Sequence, residues 1–311
     1  MKIRPETIND FFGQNDNIEN LKIYIKAAKN RNEALEHVLL HGAPGLGKTT
    51  LAHIIANELE SNIKVVTAPS IETFKDLAGI LTNLNAGDVL FIDEIHRLNK
   101  NIEETLYSVM EDYSLDIVIG QNNLSKSINI DILPFTLIGA TTKISSLSAP
   151  LRDRFGITIT LKLYSLDELK YIIQRSSNVL DIEIDEKSIN EIAKRARGTP
   201  RIANKLLKRV RDFSQVLNNG IVDYDTCIKA LEKQKIDENG LFEEEIRYMD
   251  TVFYRFNNRP VGINAIASVI NESVSTIEDV YEPFLIQMGF VNRTLRGRQI
   301  TDKGILYLNN K

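Results

Sequence analysis

The chain has 311 residues, of which 43% are hydrophobic and 26% charged, and its formal net charge is −4. This composition excludes a largely disordered chain, and the net charge excludes a uniformly basic coat for nucleic acid, although local basic patches remain possible. The single cysteine, Cys227, excludes an intramolecular disulfide, and the four histidines form no evident zinc-ligand cluster. Because no run of about 18 apolar residues and no secretion-signal core is present, we predict a cytoplasmic protein that does not contact a membrane.

Residues 38–164 alternate short, β-branched apolar runs with helical periodicity. This alternation predicts an α/β fold in which a parallel sheet is covered by helices on both faces. The predicted strands are Val38–His41, Lys64–Thr67, Val89–Ile92, Thr136–Ala140 and Ile157–Leu161.

A β-hairpin is predicted between the third and fourth of these strands. Asp116–Ile119 and Ser127–Ile132 are strand-like, and a polar stretch separates them. Leu124 would lie at its tip, where an apolar side chain suggests a partner contact, although isolated surface leucines are equally common.

The rest of the chain predicts two smaller domains. Apolar residues recur at helical spacing from 165 to 235, which indicates a small helical domain. Beyond residue 238, three helices and a hairpin are typical of a winged helix, a fold that often lies on DNA. These last elements are predicted at Phe242–Phe256, Ile263–Ile270, Ser275–Met288 and Gly289–Asp302. We therefore predict domains at 1–164, 165–235 and 238–311.

Residues Gly42–Thr49 form a complete G-x-x-x-x-G-K-T phosphate loop between an apolar strand and an apolar helix. Glycines at Gly42, Gly45 and Gly47 let backbone N–H groups turn toward a phosphate at the start of the helix. Lys48 is expected to meet the β- and γ-phosphates, and the Thr49 hydroxyl to hold Mg²⁺.

Two carboxylates follow the third predicted strand, where an open α/β sheet binds its ligand. Asp93 is expected to orient the magnesium, and Glu94 to activate the water that attacks the γ-phosphate. Thr142, after the fourth strand, is our candidate for sensing the γ-phosphate or holding that water.

Two arginines complete the predicted ATPase site. Arg154, in Pro150–Phe155, is the candidate finger that one subunit supplies to the γ-phosphate of its neighbour, whereas Arg152 is expected to form an ordinary salt bridge. Arg201 begins a helix of the small domain and is expected to couple that lid to the nucleotide.

Together these motifs resemble the RuvB family of AAA+ ATPases, the bacterial ring motors that drive branch migration of Holliday junctions. The resemblance covers essentially the whole chain. It rests on Ile3-Arg4-Pro5, Gly42–Thr50, Leu90–Arg97, Glu111-Asp112-Tyr113, Asp131–Thr142, Pro150–Gly156, Arg195–Asn204, Thr276–Phe290 and Arg293–Arg298.

The resemblance implies an AAA+ P-loop domain, a helical lid and a winged-helix head that hydrolyse ATP to ADP with Mg²⁺. It implies a homohexamer that moves the duplex DNA of Holliday junctions during homologous recombination and DNA repair. It also implies a RuvA partner at the hairpin, residues 117–132, DNA contacts at Arg293, Arg296 and Arg298, and a junction resolvase in the wider complex. The implied nucleotide contacts are Ile3, Arg4, Gly42, Gly45, Gly47, Lys48, Thr49, Thr50, Glu111, Asp112, Tyr113, Arg154, Tyr164 and Arg201.

Some alternatives remain open. A clamp-loader or replication-initiator ATPase would share the first domain, and a nucleotide-switched DNA-binding regulator would share the winged helix. The basic run from Lys194 to Arg211 favours a solvated face or subunit contact over a second nucleic-acid surface. Ala43 and Val274 depart from the family pattern, in which proline and arginine are usual, and a DNA role for the turn at Val274 is therefore doubtful.

Overall fold

The computed structural model describes residues 3–119 and 126–311, so the predicted tip residue Leu124 lies outside the described residues. The chain divides into two compact units: unit 1 comprises residues up to 180 together with 198–202, and unit 2 comprises 181–197 and 203–311. The division into three domains at the boundaries given above stays a prediction.

The strands of both units, numbered in chain order, have the following bounds. They are β1 (Val38–His41), β2 (Ile63–Thr67), β3 (Val89–Asp93), β4 (Ser114–Ile119), β5 (Lys126–Asp131), β6 (Thr136–Thr141), β7 (Ile157–Thr160), β8 (Val291–Thr294) and β9 (Gly297–Ile300). The helices of unit 1 are α1 (Asn15–Arg31), α2 (Lys48–Glu58), α3 (Phe74–Leu81), α4 (Lys100–Asp112), α5 (Ala149–Asp153) and α6 (Leu166–Val179). The remaining helices are α7 (Glu186–Arg195), α8 (Pro200–Leu217), α9 (Tyr224–Lys233), α10 (Glu243–Asp250), α11 (Ile263–Ile270), α12 (Val274–Thr276), α13 (Glu282–Gln287) and α14 (Asp302–Asn309).

Unit 1 contains a five-stranded parallel sheet in the order β2-β3-β6-β1-β7. All five predicted sheet strands are confirmed. The central strands are buried on both faces, which explains why β1 and β6 are continuous apolar runs, whereas the edge strand β2 exposes Lys64 and Val65. This order brings the carboxyl ends of β1, β3 and β6 side by side at one edge of the sheet, which is where such sheets bind ligands.

The predicted hairpin is also confirmed. Strands β4 and β5 pair antiparallel, from Ser114 opposite Asp131 to Ile119 opposite Lys126, and they form a sheet separate from the parallel one. Leu115 and Ile132 bury the base of the hairpin in the core of unit 1, while Ile128 and Leu133 are exposed.

Unit 2 combines lid helices with the predicted winged helix. The winged helix packs α10, α11, α12, α13, the β8–β9 wing and α14 around a core that includes Tyr248, Ile266 and Leu285. One of its predicted helices ends in a π-helical turn, Thr251–Arg255, another is interrupted by one, Ile277–Tyr281, and α14 was not predicted. Across residues 3–119 and 126–311, no helix combines the length and apolar character needed to cross a bilayer.

The buried imidazole of His37 joins β6 to the end of α4. Its Nδ1 accepts the Leu137 N–H at 2.9 Å, and its Nε2 lies 3.1 Å from the Met110 carbonyl oxygen. This pairing requires neutral imidazole with its proton on Nε2, and burial lowers the pKa of His37.

His37 should therefore make the stability of the protein sensitive to acid. The pKa of His37 in the folded state lies below its value of about 6.5 in the unfolded state. As the pH falls below about 6.5, the unfolded state therefore binds more protons than the folded state. The free energy of unfolding then decreases by up to about 1.4 kcal/mol per pH unit. We expect the urea midpoint of wild type to fall more between pH 7.5 and 5.5 than that of His37→Gln, whose side chain does not titrate. Equal losses in the two proteins would contradict this role.

Candidate functional site

The phosphate loop joins β1 to α2, and its glycines are required by the backbone. Gly42, Gly45 and Gly47 have φ values of 150°, 82° and 108°, in the region that favours glycine. A Cβ at Gly42 would lie 2.7 Å from the Leu161 carbonyl oxygen. Helix α2 has no side-chain cap at its start, so its first N–H groups are available to an anion.

Lys48 lies at the centre of this loop. Its ammonium group is mostly buried and donates to the carbonyl oxygens of Gly42, at 2.7 Å, and Ala43, at 3.0 Å. Burial lowers the pKa of Lys48, while the carboxylates of Glu94 and Asp93 act in the opposite direction and Arg201 lowers it further. The fold thus brings the predicted phosphate-binding lysine within electrostatic range of both predicted carboxylates and the predicted lid arginine.

Asp93 and Glu94 lie where β3 ends, as predicted. The Asp93 Oδ1 accepts the Glu94 N–H at 3.0 Å, and Glu94 has a left-handed backbone with φ 53°. A non-glycine residue in this conformation costs roughly 1 to 3 kcal/mol, and such residues cluster at functional sites. The Glu94 Oε2 lies 3.3 Å from Nε2 of His96, a neighbour that the sequence did not single out.

The start of α8 lies directly against the phosphate loop. The Arg201 N–H donates to the Gly45 carbonyl oxygen at 3.3 Å, and a Cβ on Gly45 would lie 2.8 Å from the Thr199 side chain. Tyr164 is buried below the loop, where its hydroxyl donates to the Leu46 carbonyl oxygen at 3.3 Å. Burial raises the pKa of Tyr164, so its phenol stays a donor. Arg201 and Tyr164 therefore both lie beside the loop.

The remaining predicted nucleotide residues lie at the start of α2, just after β6 and near the beginning of the chain. Thr49 and Thr50 lie in the first turn of α2, and Thr142 follows the last residue of β6 at the same edge of the sheet as Asp93. Arg4 is exposed, and the Ile3 carbonyl oxygen accepts from Arg175 at 2.9 Å. Arg175 was not predicted, because a helical arginine carries no signal of such an anchoring contact.

A second group of predicted residues gathers around α4 and α5. The Arg154 guanidinium pairs with Glu111 at 3.1 Å and lies 4.6 Å from the centre of the Tyr107 ring. Tyr113 packs its ring edge-on to Phe135 and His37. Asp112 is the last residue of α4 and is exposed. Among the contacts of the described residues, those of Glu111, Tyr113 and Arg154 are made within this group and with the core, and not with the phosphate loop.

The three predicted DNA-binding arginines of the wing are not equivalent. Glu282 is fully buried and accepts from Arg293 Nε at 2.5 Å, from Arg298 Nε at 2.9 Å and from the Tyr248 hydroxyl at 2.9 Å. Arg298 also donates to Glu278 at 2.8 Å, and its side chain is only 15% exposed. Arg296 lies in the turn between β8 and β9 and is exposed. Arg293 and Arg298 therefore attach the wing to α13, although the Arg293 side chain is still 45% exposed, and Arg296 projects from the turn.

Comparison with known proteins gives matches along nearly the whole chain. Residues 3–161 match the Holliday junction DNA helicase RuvB P-loop domain, 164–237 the RuvB AAA lid domain, and 238–309 the RuvB C-terminal winged helix domain. The Holliday junction branch migration complex subunit RuvB of Acholeplasma laidlawii is 53% identical over 302 residues, which are 97% of this chain and 90% of that protein. The protein of the same name from Phytoplasma mali is 54% identical over 299 residues, 96% of this chain and 90% of that protein.

Solved structures agree with the sequence matches. The Thermotoga maritima RuvB Holliday junction branch migration motor is 47% identical and superposes with a TM-score of 0.88, covering 99% of this chain and 98% of that one. The three family models match this chain in the order P-loop domain, lid and winged helix, which agrees with the fold described above. The chain therefore belongs to the RuvB family of AAA+ P-loop ATPases.

Proposed function

We propose that this chain is the ATP-driven motor of a Holliday junction branch migration complex and that it uses ATP hydrolysis to translocate duplex DNA. The observation that carries the proposal is the single cluster formed by Lys48, Asp93, Glu94 and Arg201 around a glycine loop with open N–H groups. This cluster provides what phosphoryl transfer requires: a cradle for phosphates, charge compensation and a carboxylate to position water.

The residues present fit a nucleoside triphosphate with Mg²⁺. Within residues 3–119 and 126–311, no group of three His, Cys, Asp or Glu side chains is arranged to hold a metal ion. Mg²⁺ in such sites usually keeps several waters and binds substrate phosphates, so it needs few protein ligands. Thr49 and Asp93 would supply those ligands, and the ion would neutralise charge on the phosphates.

Each side chain then has a separate task in hydrolysis. Lys48 would exchange its two loop carbonyls for phosphate oxygens, which are better partners for an ammonium group. Glu94 would accept a proton from the attacking water, and Thr142 would contact the γ-phosphate or that water. Arg201 would connect the nucleotide to the lid that follows it.

The second group of residues supports a site shared between subunits. Arg154 is held by Glu111 and by stacking on Tyr107, which gives the guanidinium a defined orientation at the end of α5. An arginine finger supplied by a neighbouring subunit requires such pre-organisation. We propose that the chain forms a homohexamer in which this group faces the phosphate loop of the next subunit.

Two further surfaces support the proposed partners. The hairpin at residues 117–132 would bind RuvA, and the exposed Ile128 provides an apolar contact on it. The winged helix would bind duplex DNA without reading its sequence. We also propose the three domains at 1–164, 165–235 and 238–311, and a junction resolvase in the wider complex that acts in recombination and repair.

The different environments of the three wing arginines lead to a prediction for DNA binding. Arg296→Ala should weaken binding to any duplex and reduce the slope of log affinity against log salt by about 1, as expected for one lost phosphate contact. Fluorescence anisotropy with random duplexes between 50 and 200 mM salt would measure both effects. The charge-matched control is Arg31→Ala. This change removes an exposed arginine at the end of α1 that pairs with Glu33. An unchanged slope for Arg296→Ala would contradict the contact.

The enzymatic part of the proposal is tested by ATP hydrolysis. The purified chain should hydrolyse ATP in the presence of Mg²⁺, and duplex DNA together with RuvA should increase the rate. Stimulation by a sliding clamp instead would favour a clamp loader, and thousandfold tighter binding to one DNA sequence would favour a regulator. Either result would replace the proposed function.

A further inference from the structure

A chain of polar contacts runs from the segment after β6 to the predicted general base. The Lys143 backbone N–H donates to Thr141 Oγ1 at 3.0 Å, and Thr141 Oγ1 lies 2.9 Å from His96 Nδ1. The other ring nitrogen, Nε2, lies 3.3 Å from Glu94 Oε2. None of these contacts is needed to hold the β-sheet together, because β3 and β6 already pair through their backbones.

The groups at its two ends and the tautomer of His96 together set the direction of the protons in this chain. A backbone N–H can only donate, so Thr141 Oγ1 accepts from Lys143, and its role toward His96 Nδ1 is set by the tautomer of the ring. A neutral ring with its proton on Nε2 presents that N–H side to the Glu94 carboxylate, 3.3 Å away, and its Nδ1 then accepts the hydrogen of the Thr141 hydroxyl. Desolvation by burial lowers the pKa of His96, which agrees with a neutral ring.

The turn that carries His96 packs closely against β6. His96 belongs to a single turn, Ile95–Arg97, that begins directly after Glu94. A Cβ on Gly139 of β6 would lie 2.9 Å from Ile95 Cδ1, so any larger residue at this position would require the Ile95 side chain to shift. Thr141 is fully buried, whereas the Glu94 side chain is 36% exposed and free to take another orientation.

We propose that His96 is a positioning residue that couples the segment Thr141–Lys143 to the orientation of the Glu94 carboxylate. The inference rests on the proposed ATPase function and deepens it. Thr142, the candidate contact of the γ-phosphate, lies between the two residues that begin this polar chain. A small displacement of Thr142 by the γ-phosphate therefore shifts the Thr141 hydroxyl, and His96 passes this shift to Glu94. As a result, the Glu94 carboxylate is oriented toward the attacking water only when the site holds a triphosphate.

The size of the effect follows from the demands of in-line attack. A displacement of about 1 Å in a positioned group can cost on the order of 10²-fold in rate, while substrate affinity depends mainly on the phosphate cradle. We call the chain of contacts from Lys143 through Thr141 and His96 to Glu94 the relay. Loss of the relay should therefore lower kcat and leave the KM for ATP nearly unchanged. A purely structural role would instead appear as a lower melting temperature with no such separation.

The test compares four relay variants for kcat, KM and melting temperature with Mg-ATP, duplex DNA and RuvA. Thr141→Val and His96→Ala should each lower kcat about 10- to 100-fold with KM within about twofold. The double variant should be no slower than the slower single variant, because both substitutions interrupt one relay. Thr141→Ser, which keeps the hydroxyl, should restore kcat to near the wild-type value. Thr105→Val, the same change at a hydroxyl on α4 that donates to the Asn101 carbonyl oxygen, is the matched control.

Three results would overturn the proposal: unchanged kcat in both single variants, multiplicative losses in the double variant, or Thr141→Ser as slow as Thr141→Val. Each of these would leave the proposed ATPase function intact, because the wild type would still hydrolyse ATP. A wild-type protein without ATPase activity would instead remove the proposed function and the relay together.

Discussion

Replacing Glu94 with glutamine is expected to stop ATP turnover while ATP binding is retained. Glutamine has nearly the same size but cannot accept a proton from the attacking water, and such a base contributes typically 10² to 10⁴-fold in rate. Lys48 and the glycine loop, which bind the phosphates, are unchanged by this substitution. Multiple-turnover hydrolysis and equilibrium binding of a fluorescent ATP analogue, measured on the same preparation, would separate the two effects.

The matched control for this experiment is Glu104→Gln. Glu104 lies on α4 and is a surface partner of Lys100, so its neutralisation removes the same charge without touching the site. The control should hydrolyse ATP at the wild-type rate. Turnover by Glu94→Gln at a rate comparable to that of the control would show that another group activates the water.

Replacing Arg154 with alanine should have an effect at least as large. If the guanidinium completes a neighbour's site, its loss should reduce hydrolysis by about 10³ to 10⁵-fold. Mixing Arg154→Ala with Lys48→Ala subunits should restore part of the activity, because a Lys48→Ala subunit still presents its arginine to an intact phosphate loop. The measurement is the hydrolysis rate across mixing ratios at constant total protein.

The alternative for Arg154 is a role confined to its own chain, since it pairs with Glu111. In that case the two inactive variants would not complement each other at any ratio, and Glu111→Gln would be as inactive as Arg154→Ala. Arg152→Ala provides the control, because Arg152 is exposed on the same short helix. It should retain activity close to wild type.

Much of the fold could be predicted because its signals are local. Buried parallel strands such as β1 and β6 are recognisable as continuous apolar runs, and the loop glycines are required by backbone angles that other residues rarely adopt. The relation between the phosphate loop and Asp93 followed from the topology of such sheets, in which strand ends share one edge. Helix α1 was missed although Ile18, Leu21, Ile25 and Ala28 have helical spacing.

What escaped prediction depends on contacts between residues far apart in sequence. The pairing of His96 with Thr141 joins positions 45 residues apart, and no pattern around either residue indicates it. The same holds for Glu282, whose burial beneath Arg293 and Arg298 gives these arginines a role in supporting the wing, while their contact with DNA stays a prediction. The two π-helical turns lie in segments where the local sequence alone favours continuous helices.

The central claim is that the hydrolysis of ATP at the phosphate loop around Lys48 drives the movement of double-stranded DNA. The most direct measurement is the dissociation of a synthetic four-way junction into two duplexes by this protein with RuvA and Mg-ATP. We predict dissociation by wild type, none with Glu94→Gln, and none when ATP is replaced by a non-hydrolysable analogue. Junction dissociation at equal rates by wild type and Glu94→Gln, or its absence in wild type under conditions of active ATP hydrolysis, would contradict the account.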